Sequence, residues 1–547
     1  MTEVIVQQAV EREVNSSVSA EMPVAPMEQF EVEGVTPNDP EDDFQYPTTI
    51  KLVAIAAALA IVLISLGLDV SIVAVTVPAL SNEFHSIADI GWYSSSLRLV
   101  MCSFMFLFGK AYTLFSIKRV FMLSIATFEL GNVVCTFAQS SSMFIAGRAI
   151  CGFGCAGLLG GIFTIFALSF PRRQRPLVIG IGGGIETLAS VSAPLIGGAL
   201  IDAWTWRACF GINIPLGIAG CAVVGFYLEL PYNSDIDLPW KEKIKRIDIL
   251  GTAFFVPAMV SLLLALQWGG SVFGFGSARI IALFVLSAVL FTLFFITEYL
   301  SGEKASLPFR ILKNRSILAG AFFALCANAT ISVTQYYLSI YFQGVRGYSA
   351  AKTGLFSLPM VVGMAVACTS AGAITTWIGY YFPAMYLTAV LASISSGLIT
   401  TIDIDTDLPK LLCLLGLLGF AVGAGIQAPQ VAAQTVLPAK DVSIGTSIVL
   451  FGNNIGCVIF LATSAGLFTN RLNVEIKAHA PSTNMTSIQN MGLSDIRNNF
   501  GGEKLKDILL GYDQAVVQTL YLPVALACLT LMGAVAIERK SVKMKTS

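Results

Sequence analysis

Charge is scarce in this chain. Asp, Glu, Lys and Arg make up only 12% of its 547 residues, about half the share found in a soluble domain. Histidine is scarcer still: His85 and His479 are the only two, and both fall outside the apolar runs, which argues against a histidine-based metal site or general base. The 11 cysteines, Cys151 and Cys155 among them, lie inside apolar runs and form no CxxC or Cys/His spacing. They read as small buried hydrophobes, not as ligands. No Walker sequence is present. Gly180-Ile181-Gly182-Gly183-Gly184 sits within an apolar run, with no strand before it and no GK[ST] after it, so it reads as a helix-packing surface and not as a phosphate cradle. Neither an ATP-driven pump nor an enzyme is expected, and no cofactor or metal is implied. A formal net charge of −1 gives no hint of a nucleic-acid partner. The first 45 residues carry one basic residue, Arg12, against many acids, and hold no cleavable apolar core. They read as part of a disordered acidic tail, not as a signal peptide.

Apolar sequence is what the chain has in quantity. Hydrophobic residues make up 55% of it and mean hydropathy is +0.75. The apolar runs are long and continuous, not alternating ten-residue segments, so they predict membrane-spanning helices and not a barrel. Fourteen spans are expected, centred near Ile61, Met101, Ala126, Leu158, Ala189, Val223, Leu262, Ala288, Ile331, Val362, Val390, Leu418, Val458 and Ala525. The tenth is the weakest, because Gly354–Thr376 is rich in small residues, which favour close helix packing.

Basic residues gather in alternate loops: Lys118 and Arg119, then Arg172, Arg173 and Arg175, then Lys241, Lys243, Lys245 and Arg246, then Lys304, Arg310, Lys313 and Arg315, and finally Arg539, Lys540, Lys543 and Lys545. That asymmetry places both termini in the cytosol. The loop between spans 10 and 11 has no basic residue and adds nothing either way. A long loop at about 469–512 falls on the outside and carries a glycosylation sequon at Asn484. A second sequon, at Asn15, falls on the cytosolic tail and should be unused.

Ordered motifs run through these spans. Leu68-Asp69-Val70-Ser71-Ile72-Val73-Ala74-Val75-Thr76-Val77-Pro78 lies in the first, and Gly147-Arg148-Ala149 with Gly152, Gly154 and Gly157 opens the fourth. Ala193-Pro194-Leu195-Ile196-Gly197-Gly198 lies in the fifth, followed by Trp206-Arg207-Ala208-Cys209-Phe210-Gly211-Ile212-Asn213-Ile214-Pro215-Leu216-Gly217. Asp248-Ile249-Leu250-Gly251 precedes the seventh, Tyr336–Gln343 lies in the ninth and Gly419–Pro429 in the twelfth. In this order the motifs resemble the major facilitator superfamily, and within it the fourteen-helix drug:proton antiporter branch, with stretches similar to fungal exporters of toxins and secondary metabolites. The resemblance covers about residues 50–540. Two departures stand out. The loop motif Gly109–Arg119 lacks the acid that usually latches helices together, and Ala189 and Ala193 replace two glycines of the antiporter motif around Pro194.

The resemblance implies an all-α polytopic fold of two six-helix bundles plus two extra helices. On this reading residues 1–48 are the tail, 49–230 the first bundle, 231–300 the linker and inserted pair, 301–538 the second bundle and 539–547 a cytoplasmic tail. It also implies a monomer that moves small amphipathic molecules outward in exchange for protons by rocking one bundle against the other. An importer of a siderophore or nutrient is the alternative on the same fold. A cell-membrane location is expected, with a vacuolar or vesicle membrane as alternative.

An ionisable group at mid-bilayer costs roughly 2.5–3.5 kcal/mol, so each one demands a reason. Asp69 is either a proton carrier or a structural anchor. Arg148 is a partner in proton coupling by resemblance, or an interfacial arginine reaching outward. Glu186 and Arg98 are opposite charges in the same bundle and read as an ion pair or a substrate-binding pair. Glu129, in a span often peripheral in this fold, reads as structural or lipid-facing. Gln335, Tyr336, Tyr337, Gln427, Asn453 and Asn454 are candidate polar anchors in an otherwise apolar cavity. Pro194, Gly197 and Gly198 are the candidate hinge.

Overall fold

The computed structural model describes residues 48–86, 89–228, 239–269, 273–479 and 502–543. Most of the acidic tail, including Asn15, lies outside the described residues, as do Asn484 and its sequon. Fourteen helices are long and apolar enough to cross a membrane. They are α1 (Thr49–Phe84), α2 (Ile90–Leu114), α3 (Ile117–Thr136), α4 (Ser141–Ser169), α5 (Arg175–Ala203), α6 (Ala208–Tyr227), α7 (Ile249–Trp268), α8 (Ala278–Lys304), α9 (Arg315–Val345), α10 (Lys352–Ile378), α11 (Phe382–Ile399), α12 (Leu408–Val436), α13 (Ala439–His479) and α14 (Lys504–Ala536). Every expected span centre falls inside its helix. The long loop expected at about 469–512 differs from expectation: α13 runs on to His479 and helix resumes at Gly502. Ile476 and Ile508 are buried there, and Gln518 donates to the Glu475 carboxylate at 2.7 Å. Apolar contact and a charge-assisted bond thus extend both helices beyond their spanning length.

Local chemistry sets the helix ends. Asp248 caps α7 by accepting from the Gly251 N–H at 2.8 Å, and a Cβ at Gly251 would sit 2.0 Å from its carboxylate. The Asp-Ile-Leu-Gly motif is therefore a helix start. Gly379 ends α10 in the left-handed region, φ 92°, where glycine carries no steric penalty.

The glycines of α4 explain its central place. A Cβ at Gly152 would lie 2.3 Å from the Leu97 carbonyl of α2, and one at Gly154 would lie 2.5 Å from the Phe128 nitrogen of α3. Small residues there let both helices cross α4 at backbone contact. The glycine run of α5 works in the same way. Gly180 meets the backbone of α10 at Cys368 and Gly372, and Gly183 meets the Gln427 side chain of α12.

Side-chain bonds sort the loops onto two faces. On one, Lys110 at the end of α2 reaches the Glu303 carbonyl at 2.8 Å, Arg310 pairs with Asp441 at 2.9 Å, and Arg175 reaches the Gln434 carbonyl at 3.4 Å. The loop between α10 and α11, which has no charge of its own to place it, joins this face because Val542 and Ser541 both donate to the Gly379 carbonyl. On the other face Arg207 pairs with Glu83 at 2.7 Å and Ser141 donates to Asp89 at 2.5 Å. Lys243, between α6 and α7, lies 5.6 Å from the Phe115 ring, and Arg315 pairs with Glu538 at 3.3 Å, so the basic loops share a face.

Candidate functional site

Asp69 and Arg148 form the most buried ion pair of the described residues, at 0% and 1% exposure. One Arg148 nitrogen lies 2.8 Å from each Asp69 carboxylate oxygen. Its Nε donates to the Tyr93 carbonyl at 3.3 Å, and the guanidinium lies 5.7 Å from the Phe210 ring. Arg148 is therefore not an arginine reaching for an interface. The packing of α4 against α2 leaves it no route to water, and Asp69 supplies its counter-charge.

The pair continues into a buried amide chain. Asn213 Nδ2 lies 3.4 Å from Asp69 Oδ1 and 3.4 Å from Asn132 Oδ1. Ser65 donates to Asn213 Oδ1 at 3.1 Å, and Asn132 Nδ2 lies 3.4 Å from Glu129 Oε2. α6 makes this possible by breaking at Ile212, so that Asn213 opens a fresh helix. Of the two readings of Glu129, only the lipid-facing one is corrected. The residue is 9% exposed and points inward at α6, where a Cβ on Gly217 would fall 2.1 Å from its carboxylate. Two signals for this chain lie in the sequence: the Glu129/Asn132 spacing of one helical turn, and Asn213 inside a quoted motif. Toward the face opposite the basic loops the cluster is tied down by Tyr93, whose hydroxyl donates to Ser141 at 3.1 Å. Ser141 and Ser86 both donate to Asp89 and hold that carboxyl below its ordinary range.

The other candidates separate. Arg98 and Glu186 do not pair. Arg98, on α2, lies 3.0 Å from the Cys457 sulfur of α13, whereas Glu186 lies on α5, the helix whose glycines meet α10 and α12. Helix position, not charge, decides this. Asn453 is engaged twice by Asn328, at 2.8 Å and 2.7 Å, and Asn454 bonds its own helix at Leu450. Tyr337 is buried against Phe468, ring centroids 5.3 Å apart, while Tyr336 is 49% exposed and Gln335 is exposed as well. Gln427 sits at the break in α12 beside Gly183. The helix passes through Pro194 without ending; a Cβ on Gly197 would lie 2.8 Å from Ile72, whereas one on Gly198 would meet open space.

The halves α1–α6 and α9–α14 meet toward the basic-loop face. Gln434 donates to the Phe163 carbonyl at 3.0 Å and Ser443 to the Gly109 carbonyl at 3.0 Å. The crevice around Gln427, between α5, α10, α11 and α12, holds about 10 Å³, roughly one water. The halves are closed there. A larger groove of about 460 Å³, lined by Phe104, Leu107, Thr252 and Pro257, lies between α2 and α7 and includes none of the candidate residues.

A family model described as Major Facilitator Superfamily matches residues 59–461. The chain belongs to the major facilitator superfamily. Its relatives within the superfamily include an MFS-type efflux pump of Trichophyton rubrum, 39% identical over 91% of this chain and 93% of that one. An efflux pump of Penicillium rubens is 37% identical, with 90% and 92% covered. A thioclapurine efflux transporter of Claviceps purpurea is 36% identical, with 93% and 94% covered. Among solved structures, a proton:xylose symporter has a TM-score of 0.57 at 12% identity, covering 89% of this chain and 95% of its own. A bacterial homologue of the lysosomal transporter Spinster has a TM-score of 0.56 at 15% identity, covering 90% and 99%. These two bear on the fold alone. At the loop motif that lacks the acid, Lys110 donates to the Glu303 carbonyl, and Arg310 bridges Glu303 and Asp441.

Proposed function

We propose that this transporter exports small amphipathic molecules of the toxin or secondary-metabolite kind, driven by inward proton flow through alternating access. The observation that carries the reading is the water-excluded Asp69–Arg148 pair, with both carboxylate oxygens on the guanidinium. A carboxyl held that way is a group whose proton affinity changes sharply when its counter-charge moves. The printed names of the relatives, efflux pumps and an efflux transporter, support export over import. On this reading the basic loops and both termini face the cytosol, the closed side is the cytosolic one, and the transporter works as a monomer in the plasma membrane. Arg98, Glu186, Gln335, Tyr336 and Gln427 are the groups left to meet substrate.

The test is export itself. A strain lacking the gene should retain the exported metabolite, and the intact gene should restore efflux. Dissipating the proton gradient should stop it. Equal retention with and without the gene overturns the export reading, and efflux that survives gradient collapse overturns the coupling.

A further inference from the structure

Charge does not balance along the buried chain in the first half. Arg148 is the cation of the cluster, and it is used up on Asp69, which contributes both oxygens. Glu129 is the second carboxyl. Its Oε2 has the neutral Asn132 amide at 3.4 Å, and its Oε1 is buried with no hydrogen-bond partner among the described residues. Among the described residues that act on it there is no further cation. α1 presents Asp69, α4 presents Arg148, Cys151 and Cys155, and α6 presents Asn213 and Gly217. An ionised Glu129 would be a second negative charge in a pocket whose one positive charge is already neutralised, which a dry interior does not tolerate.

We infer that Glu129 is a proton-binding site, occupied in this conformation and coupled to the Asp69–Arg148 pair through the Asn132–Asn213 amides. The amides do not carry the proton. They are arranged so that one Asn213 nitrogen serves both Asp69 and Asn132, and Asn132 in turn serves Glu129. A change of charge at either end therefore reorders the hydrogen bonds at the other. The cluster as a whole holds one positive charge, one negative charge and one proton. Removing the charge of Asp69 should make Glu129 release its proton to solvent and become the counter-charge of Arg148. The occupancy of Glu129 stands independently of the export reading; its use in driving transport rests on that reading.

Infrared difference spectroscopy on the purified full-length protein tests this without a substrate. Subtracting the Glu129→Gln spectrum from that of the unaltered protein at neutral pH should leave a carboxylic-acid C=O band. A carboxylate band in its place overturns the site. Where the glutamine variant fails to fold, Glu129→Asp serves, because an acid band then shifts in frequency and does not vanish. In the Asp69→Asn background, the same Glu129 subtraction should show a carboxylate, and an unchanged acid band there overturns the coupling. A purely structural Glu129 would stabilise the fold without producing either spectral result. Failure of the metabolite-retention test, with the acid band present, would sink export and leave this site standing.

Discussion

Asp69 and Arg148 each need the other more than either needs its helix. Losing one partner of a buried pair costs about 3–5 kcal/mol, because the survivor is an unpaired charge, whereas losing both can be nearly neutral. Arg148→Gln leaves Asp69 with no cation and should therefore lower the thermal unfolding temperature in detergent sharply and abolish proton-driven efflux. The double variant Asp69→Asn/Arg148→Gln should recover most of the stability and none of the efflux. A double variant that stays as unstable as the single one would show that the pair is not the source of the loss. Asp89 offers a pH-dependent case. Hydroxyls from Ser141 and Ser86 hold its carboxyl below the ordinary value, so its contribution is present above that value and is lost as pH falls through the depressed one. The unfolding temperatures of Asp89→Asn and the unaltered protein should differ at neutral pH and converge under strongly acidic conditions.

At the scale of helices, the small residues divide into those that touch and those that do not. A Cβ on Gly197 would lie 2.8 Å from Ile72, while one on Gly198 would have nothing within 4 Å. Gly197→Ala should cost about 1–3 kcal/mol of stability through overpacking, and Gly198→Ala should leave the unfolding temperature unchanged. Equal effects would mean that α1 and α5 are not packed as described. This also accounts for the two alanines in the antiporter motif. Ala189 and Ala193 are buried at 7% and 0% exposure, so a methyl group is accommodated at both positions, and the motif's glycines are not uniformly required. Motif wording revealed which helix carried small residues, but it did not distinguish a contact from open space.

For the whole molecule, the two halves are joined by bonds that cross between them: Gln434 to the Phe163 carbonyl and Ser443 to the Gly109 carbonyl. One such hydrogen bond is worth about 1 kcal/mol net. That shifts an open–closed balance about fivefold. Gln434→Leu should raise the labelling rate of Cys368 by N-ethylmaleimide by about that factor, read by peptide mass spectrometry. Cys368 is 2% exposed and lies where α5 meets α10. An unchanged rate would show that this bond does not hold the face closed.

The fourteen spans were determined by sequence alone, because an apolar run of membrane length has no lower-energy place than a bilayer-crossing helix. The sharing of a face by the basic loops was legible for the same reason: charge resists burial wherever the chain folds. What Glu129, Arg98 and Glu186 touch was not legible. Each is a lone polar residue in an apolar run, and the run says only that it must be compensated. Which partner compensates it depends on helix rotation and crossing, set by glycine contacts such as Gly152 with Leu97 and Gly217 with Glu129. Only tertiary structure decided that Glu129 joins Asn132 and Asn213, and that Arg98 faces Cys457 instead of Glu186. Hydrophobic burial is additive along the chain and can be read from it, whereas a buried polar pair exists only once two helices have chosen their faces.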